Sequence, residues 1–204
     1  MIKIVKIKKA DSAILDAVVE IHLCTFQGFF LTFMGKGFLR QLYRSYSDHQ
    51  ESGLLVAFNE ENAPVGFLAY SAALSDLYKY MIKRRLVPFA WYAIGAFFRK
   101  PKVFMRLVRA FLKPSESKRK EAYVELASIG VSPQSKGTGI GSQLIAALKE
   151  RVDMNRYAYI NLETDAENND AANGFYVKNG FILTRTFTTS EGRQMNEYRF
   201  GANV

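Results

Sequence analysis

The chain has 204 residues, 49% hydrophobic and 23% charged; these proportions exclude disordered and low-complexity classes and suit one folded domain. Its net charge of +9 is concentrated: residues 79–120 hold 13 Lys and Arg against one acid, Glu116, or +12, leaving 15 basic and 18 acidic residues, or −3, elsewhere. A near-neutral body with one very basic insertion is not a surface that coats nucleic acid, so nucleic-acid binding is disfavoured.

Residues 2–7 alternate apolar and basic side chains, the period of a strand with one solvated face. Asp11 or Ser12 then caps a helix with apolar positions at Ile14, Ala17, Val18, Ile21 and Cys24 or Thr25. On that helix His22 is read as a partly buried packing residue and Cys24 as core. A single cysteine and two histidines make neither an internal disulfide nor a metal cluster, so no metal is expected. The charged N-terminal run has no uninterrupted apolar core, which makes a reducing cytoplasm the expected compartment.

Gly35 and Gly37 punctuate before a second amphipathic helix carrying Phe38, Leu42, Tyr43 and Tyr46. Residues 54–58 read as a buried strand, and the turn around Asn59, Asn62 and Pro64 folds it back on a strand at 65–70. Beyond the insertion, residues 123–131 form an apolar run suited to a central strand. A glycine-rich loop and an amphipathic helix with Leu144, Ile145, Leu148 and Val152 follow. A strand at 157–164, a short helix at 169–178 stopped by Asn179 and Gly180, and a closing hairpin of 181–188 with 194–200 complete the order. Strand–loop–helix–strand implies a parallel pair, whereas the hairpins imply antiparallel neighbours. The fold class is α/β with a mixed sheet and helices on both faces.

The loop Lys136-Gly137-Thr138-Gly139-Ile140-Gly141-Ser142 lies between a buried strand and a helix start. Without Cβ bulk its amides can converge on an anion, and the helix dipole favours negative charge there. The dinucleotide fingerprint lacks its third glycine, and no Gly-Lys-Ser/Thr closes a P-loop. A turn that only lets a helix pack near its strand is the plain alternative.

Val131-Ser132-Pro133, the glycine loop, Asn169-Asp170-Ala171-Ala172-Asn173-Gly174-Phe175-Tyr176 and Lys178-Asn179-Gly180-Phe181 occur in this order. Together they resemble the GCN5-related N-acetyltransferase (GNAT) superfamily across roughly 121–182. The resemblance implies acetyl-coenzyme A in the gap between the strand ending at Val131 and the next one. Its pantetheine arm would lie along Ile129 to Val131, and its pyrophosphate on Lys136, Gly137, Thr138, Gly139, Ile140, Gly141 and Ser142. Lys136 takes the place of the family's Gln or Arg; a frame two residues earlier would give that place to Gln134. Asn169 falls at a cofactor-contacting position, though it also suits a plain N-cap, and Asn168 could exchange roles with it. Tyr176 falls where the family protonates the departing thiolate, or else packs the helix on the sheet.

Acyl transfer also needs a base for the amine. The resemblance puts Glu163 first, where some relatives relay the proton through water; Glu125 on the preceding strand is second. Burial in an apolar strand would raise a carboxyl towards a useful base value, while either could be a solvated strand charge.

Residues 72–120 exceed what a strand connection needs and must carry their own structure. The apolar stretch 86–98 is flanked by Lys83-Arg84-Arg85 and Arg99-Lys100, and Val103, Leu107, Val108, Phe111 and Leu112 give a second apolar face. A helix of that first stretch spans about 20 Å, short of a ~30 Å bilayer core. Three readings stand: a helical pair packed on the domain, a cationic lid over an anionic amine substrate, and an anchor on anionic lipid through 79–120.

The expectation is therefore a single cytoplasmic acetyltransferase domain over 1–204 with a helical insertion at about 72–120, peripheral to a membrane if the anchor reading holds. It would transfer acetyl directly to the amine of a small anionic acceptor such as an amino-sugar nucleotide, as a monomer or homodimer. The rival is a non-enzymatic module using the basic arm on membrane or nucleic acid.

Overall fold

The structure, a computed structural model, describes residues 1–26, 30–99, 101, 121–189 and 192–201. The chain begins with strand β1 (Lys3–Ile7), helix α1 (Ser12–Thr25), a single turn α2 (Phe30–Phe33) and helix α3 (Lys36–Asp48). The hairpin β2 (Ser52–Phe58) and β3 (Pro64–Ser71) leads into helix α4 (Leu74–Arg99). Then come β4 (Tyr123–Val131), a 3-10 turn (Pro133–Ser135), α5 (Ile140–Lys149), β5 (Tyr159–Asp165), α6 (Asp170–Lys178), β6 (Ile182–Thr188) and β7 (Gln194–Phe200). The expected order holds across the described residues; the short turn α2 was not anticipated.

Seven strands form one sheet in the order β1-β2-β3-β4-β5-β7-β6. Among the described strands only β4 and β5 are parallel, joined by the crossover through α5. Strand alternation divides the core into two layers. Leu55, Leu68, Val124, Leu126, Ile160 and Leu162 face α5 and α6, where Leu144, Ile145, Leu148 and Tyr176 pack. Leu54, Val56, Phe67 and Ala69 face α1, α3 and the start of α4, against Leu15, Val18, Leu39, Tyr43 and Leu77.

Asp11 caps α1, its carboxylate accepting from the Ile14 amide at 2.8 Å. The stripe that α1 buries is Leu15, Val18, Val19, Ile21 and His22. It is rotated from the expected one: Ile14 and Ala17 are half-buried and Cys24 is exposed. Cys24 is therefore not core. His22, only 2% exposed, is more deeply buried than a packing residue at the core margin.

Helix α4 breaks at Arg85, whose φ of −135° and ψ of 15° leave the helical region. Arg85 anchors the break by donating to Gln41 at 3.1 Å and pairing with Asp48 at 2.5 Å. Pro88 is tolerated because it falls in the first turn after the break, where backbone N–H groups lack helical partners. The expected second apolar face, from Val103 to Leu112, lies outside the described residues.

Candidate active site

Strands β4 and β5 share only three rungs, Tyr123 with Tyr159, Val124 with Ile160 and Glu125 with Asn161. Beyond Glu125, β4 stays paired with β3 as far as Val131, while β5 pairs with β7 as far as Asp165. The two strands therefore splay, and residues 126–131 have no β5 partner. A register shift against Ala69 and Tyr70 leaves Ala127 as the extra residue of a bulge, and its side chain is exposed. Backbone donors and acceptors on that β4 edge are open to an extended ligand, as in strand addition.

The glycine loop closes one end of this gap. Gly137 and Gly139 have φ of 84° and 82°, a region that L side chains rarely adopt. Neither would meet an atom within 4 Å if given a Cβ, so conformation rather than space demands glycine there. Gly139 precedes the first residue of α5, and Gln143 is the first amide to bond back, to the Gly139 carbonyl at 3.1 Å. The N–H groups of Ile140, Gly141 and Ser142 thus have no acceptor within the helix and carry the positive end of its dipole. Lys136 is exposed beside them. Gln134 lies in the preceding 3-10 turn, where it accepts from the Ser132 hydroxyl.

On the α5–α6 face, Tyr176 is 9% exposed, with the Phe175, Phe181 and Tyr198 rings around it. Burial pushes its phenol up to about 12. It stays protonated at any physiological pH, so its hydroxyl is a donor rather than a base. Asn169 makes no side-chain cap; its amide donates to the Thr164 hydroxyl at 2.8 Å and the Asp165 carbonyl at 3.1 Å, tying α6 to the end of β5. The adjacent Asn168 has φ of 54°.

The opposite face carries the candidate bases. Glu125, Asn161 and Glu163 share it by alternation, and both carboxylates are half-buried. The Asn161 amide donates to Glu125 at 2.9 Å. Base and acid candidates thus lie on opposite faces of the sheet. Next to Glu163 across β7 is Glu197, fully buried and clamped by Arg185 and Arg199 at 2.7 Å each. Arg199 also lies 4.2 Å over the Tyr159 ring. Reading the sequence missed this clamp, since only the alternation of 194–200 hinted at it.

A profile of the acetyltransferase (GNAT) family matches residues 15–181, most of the chain. The chain belongs to the GNAT acetyltransferase family. This GNAT protein is thus an acetyltransferase with acetyl-CoA as cosubstrate. No curated protein matches it by sequence. Among solved structures it is similar to the histone acetyltransferase HPA2 and related acetyltransferase from Corynebacterium glutamicum, at 18% identity and a TM-score of 0.62 over 100% of this chain and 98% of the other. It is also similar to the ribosomal-protein-S18-alanine N-acetyltransferase from Escherichia coli, at 14%, 0.58, 100% and 99%. Arabidopsis thaliana NAA60 in complex with acetyl-CoA gives 14%, 0.58, 100% and 100%. At these identities the likeness concerns the fold.

Proposed function

We propose that the chain, one domain with residues 72–120 as an insertion, moves acetyl from acetyl-CoA directly to a primary amine of a small anionic acceptor in the cytoplasm. The observation that supports the cofactor half is the unshared β4 edge at 126–131 ending in a glycine-shaped helix N-terminus. The pantetheine arm would pair along Ile129 to Val131, and the pyrophosphate would sit on the amides from Gly137 to Ser142 with Lys136 beside it.

The amine nitrogen forms the N–C bond to the acetyl carbon, whose carbonyl electrons move to oxygen against amide donors of β4. Collapse breaks the C–S bond. Glu163 takes the amine proton through water, with Glu125 the alternative, and Tyr176 protonates the thiolate. Asn169 holds the start of α6 so that Tyr176 stays beneath the splay. An anionic acceptor fits the exposed cations Lys83 and Arg84 of α4 and the partly exposed Arg185 and Arg199 on the Glu163 face.

The test is acetyl-CoA consumption against amino-sugar nucleotides, polyamines, amino acids and peptides, with a thermal melt in excess acetyl-CoA alongside. Turnover of an anionic amine with a raised melting temperature is expected. No thermal shift at millimolar acetyl-CoA overturns the cofactor half, and preference for a cationic amine overturns the acceptor half.

A second reading concerns where the enzyme works. Leu86, Val87, Trp91 and Phe98 of α4 are 58, 79, 73 and 78% exposed beside Lys83 and Arg84, a composition that suits the interface of an anionic bilayer. No helix among the described residues is long and apolar enough to cross a membrane. Trp91 is the chain's one tryptophan, so its fluorescence should shift to the blue on phosphatidylglycerol vesicles and not on phosphatidylcholine. Association with itself instead, seen by sedimentation, would assign the same row to a homodimer.

A further inference from the structure

A chain of polar side chains runs from the interior to the splay on the face opposite Tyr176. His22 of α1 is 2% exposed, and its Nδ1 lies 2.6 Å from the hydroxyl of Tyr43 on α3, which is fully buried. The Tyr43 hydroxyl in turn lies 3.3 Å from Oγ of Ser128. Ser128 is half-buried on β4, past the last rung shared with β5 and next to the bulge at Ala127. It follows Glu125 on the same face of the strand.

The direction of the chain follows from its chemistry. A phenol is a far better donor than a neutral imidazole N–H, and an imidazole nitrogen is a far better acceptor than a phenol oxygen. Burial lowers His22 to about 4, and Tyr43 is raised by its own burial, so at neutral pH the imidazole is uncharged and the phenol keeps its proton. Tyr43 therefore donates to Nδ1, and its oxygen is left to accept from Ser128. The proton of His22 is then on Nε2, a buried atom with no hydrogen-bond partner, set among the Phe26 and Phe67 rings. An orphaned buried N–H is disfavoured, and this one is retained together with the bond from Tyr43 to Nδ1.

With its hydrogen committed to Tyr43, Ser128 offers only lone pairs to the gap between β4 and β5. We propose that Ser128 is a further residue of the acetyl-transfer site: its Oγ accepts an N–H of the incoming amine and turns the amine lone pair towards the acetyl carbon, while Tyr43 and His22 are positioning residues that fix the direction of that hydrogen bond. This rests on the reading of the chain as an amine acetyltransferase and adds to it a residue on the acceptor side of the reaction.

The experiment uses the full chain and the panel amine that wild type turns over fastest. Ser128→Ala lowers kcat/KM for that amine about tenfold, the scale of one neutral hydrogen bond, and leaves KM for acetyl-CoA unchanged. Tyr43→Phe, which keeps the buried ring, gives a similar loss. The double variant is no worse than Ser128→Ala, because Tyr43 acts only through Ser128. In protein labelled with 15N-histidine, which holds two histidines to assign, His22 is the tautomer with hydrogen on Nε2. Wild-type kinetics in Ser128→Ala, losses that multiply in the double variant, or a hydrogen on Nδ1 of His22 would each overturn the proposal and leave the acetyltransferase reading standing. A wild type that acetylates no amine in the panel overturns both.

Discussion

Glu125 and Asn161 face each other on the last rung that β4 and β5 share, and the Asn161 amide donates to the Glu125 carboxylate at 2.9 Å. This pair stands at the apex of the splay. The other side of the Asn161 amide, Oδ1, is buried without a partner in a residue that is 0% exposed. A leucine of similar shape would remove the orphaned acceptor, but it would also take one donor from the half-buried Glu125 carboxylate. Asn161→Leu is therefore expected to be destabilised by about 1–3 kcal/mol, a loss of several degrees at this chain length. Acetyl transfer should fall as well, because Glu125 loses its fixed direction. A melting curve and a CoA-release assay on the same preparation check this; a large loss of stability with intact turnover would make Asn161 a purely structural residue.

Tyr176 has the opposite kind of environment, a buried ring cluster that raises its phenol to about 12. Tyr176→Phe should lower kcat and leave the acetyl-CoA thermal shift intact. Because its folded value lies above the ordinary value of 10.0, the unfolded chain loses this proton first as the pH rises. Stability from this group is full below pH 10 and lost between about 10 and 12, roughly 3 kcal/mol at most. Urea unfolding at pH 9 and 11 should show a shallower alkaline loss in Tyr176→Phe. Full activity in that variant across the pH range would remove its role as an acid.

The glycines of the loop separate conformational from steric demands. Gly139→Ala places a Cβ in open space but at φ of 82°, a strain of about 1–2 kcal/mol. The loop would relax away from the geometry that points its amides at the pyrophosphate. Gly141→Ala instead brings a Cβ to 3.1 Å from the Phe175 ring, which needs only a small shift of that ring. By calorimetric titration with CoA, Gly139→Ala should lose at least tenfold in affinity, and Gly141→Ala should retain more of it. The reverse ranking would argue against a cradle built on the backbone at Gly139.

What was legible in the sequence was local. Strand β4 could be read to the residue, because a mostly apolar run ends at Ser132-Pro133 and glycines follow. The end of α6 was equally plain, since Gly180 at φ of 76° stops it. The features that were not legible depend on partners far along the chain. Arg85 breaks α4 because Asp48 and Gln41 hold it, and nothing in 86–98 announces that. Glu197 looks like any polar residue of a half-buried strand until Arg185 and Arg199 close over it. His22 fell on the expected helix, but the face it turns to was set by Tyr43 and Phe67 on other elements.

That burial of His22 has a consequence at acid pH that is independent of catalysis. Its folded value of about 4 lies below the ordinary 6.5, and desolvation is the cause. Between those values the unfolded chain binds a proton that the folded chain refuses, so stability rises with pH there. The contribution is fully present above pH 6.5 and is lost as the pH falls towards 4, on the order of 3 kcal/mol. His22→Leu removes the titrating group together with its orphaned Nε2, while the Tyr43 hydroxyl loses its acceptor. At pH 7 the variant should be somewhat less stable than wild type by urea unfolding. At pH 4.5 that gap should close or reverse, because the remaining titrating groups, His49 and the carboxylates, are common to both proteins. A gap that stayed constant from pH 7 to 4.5 would mean that His22 does not stay neutral through its burial.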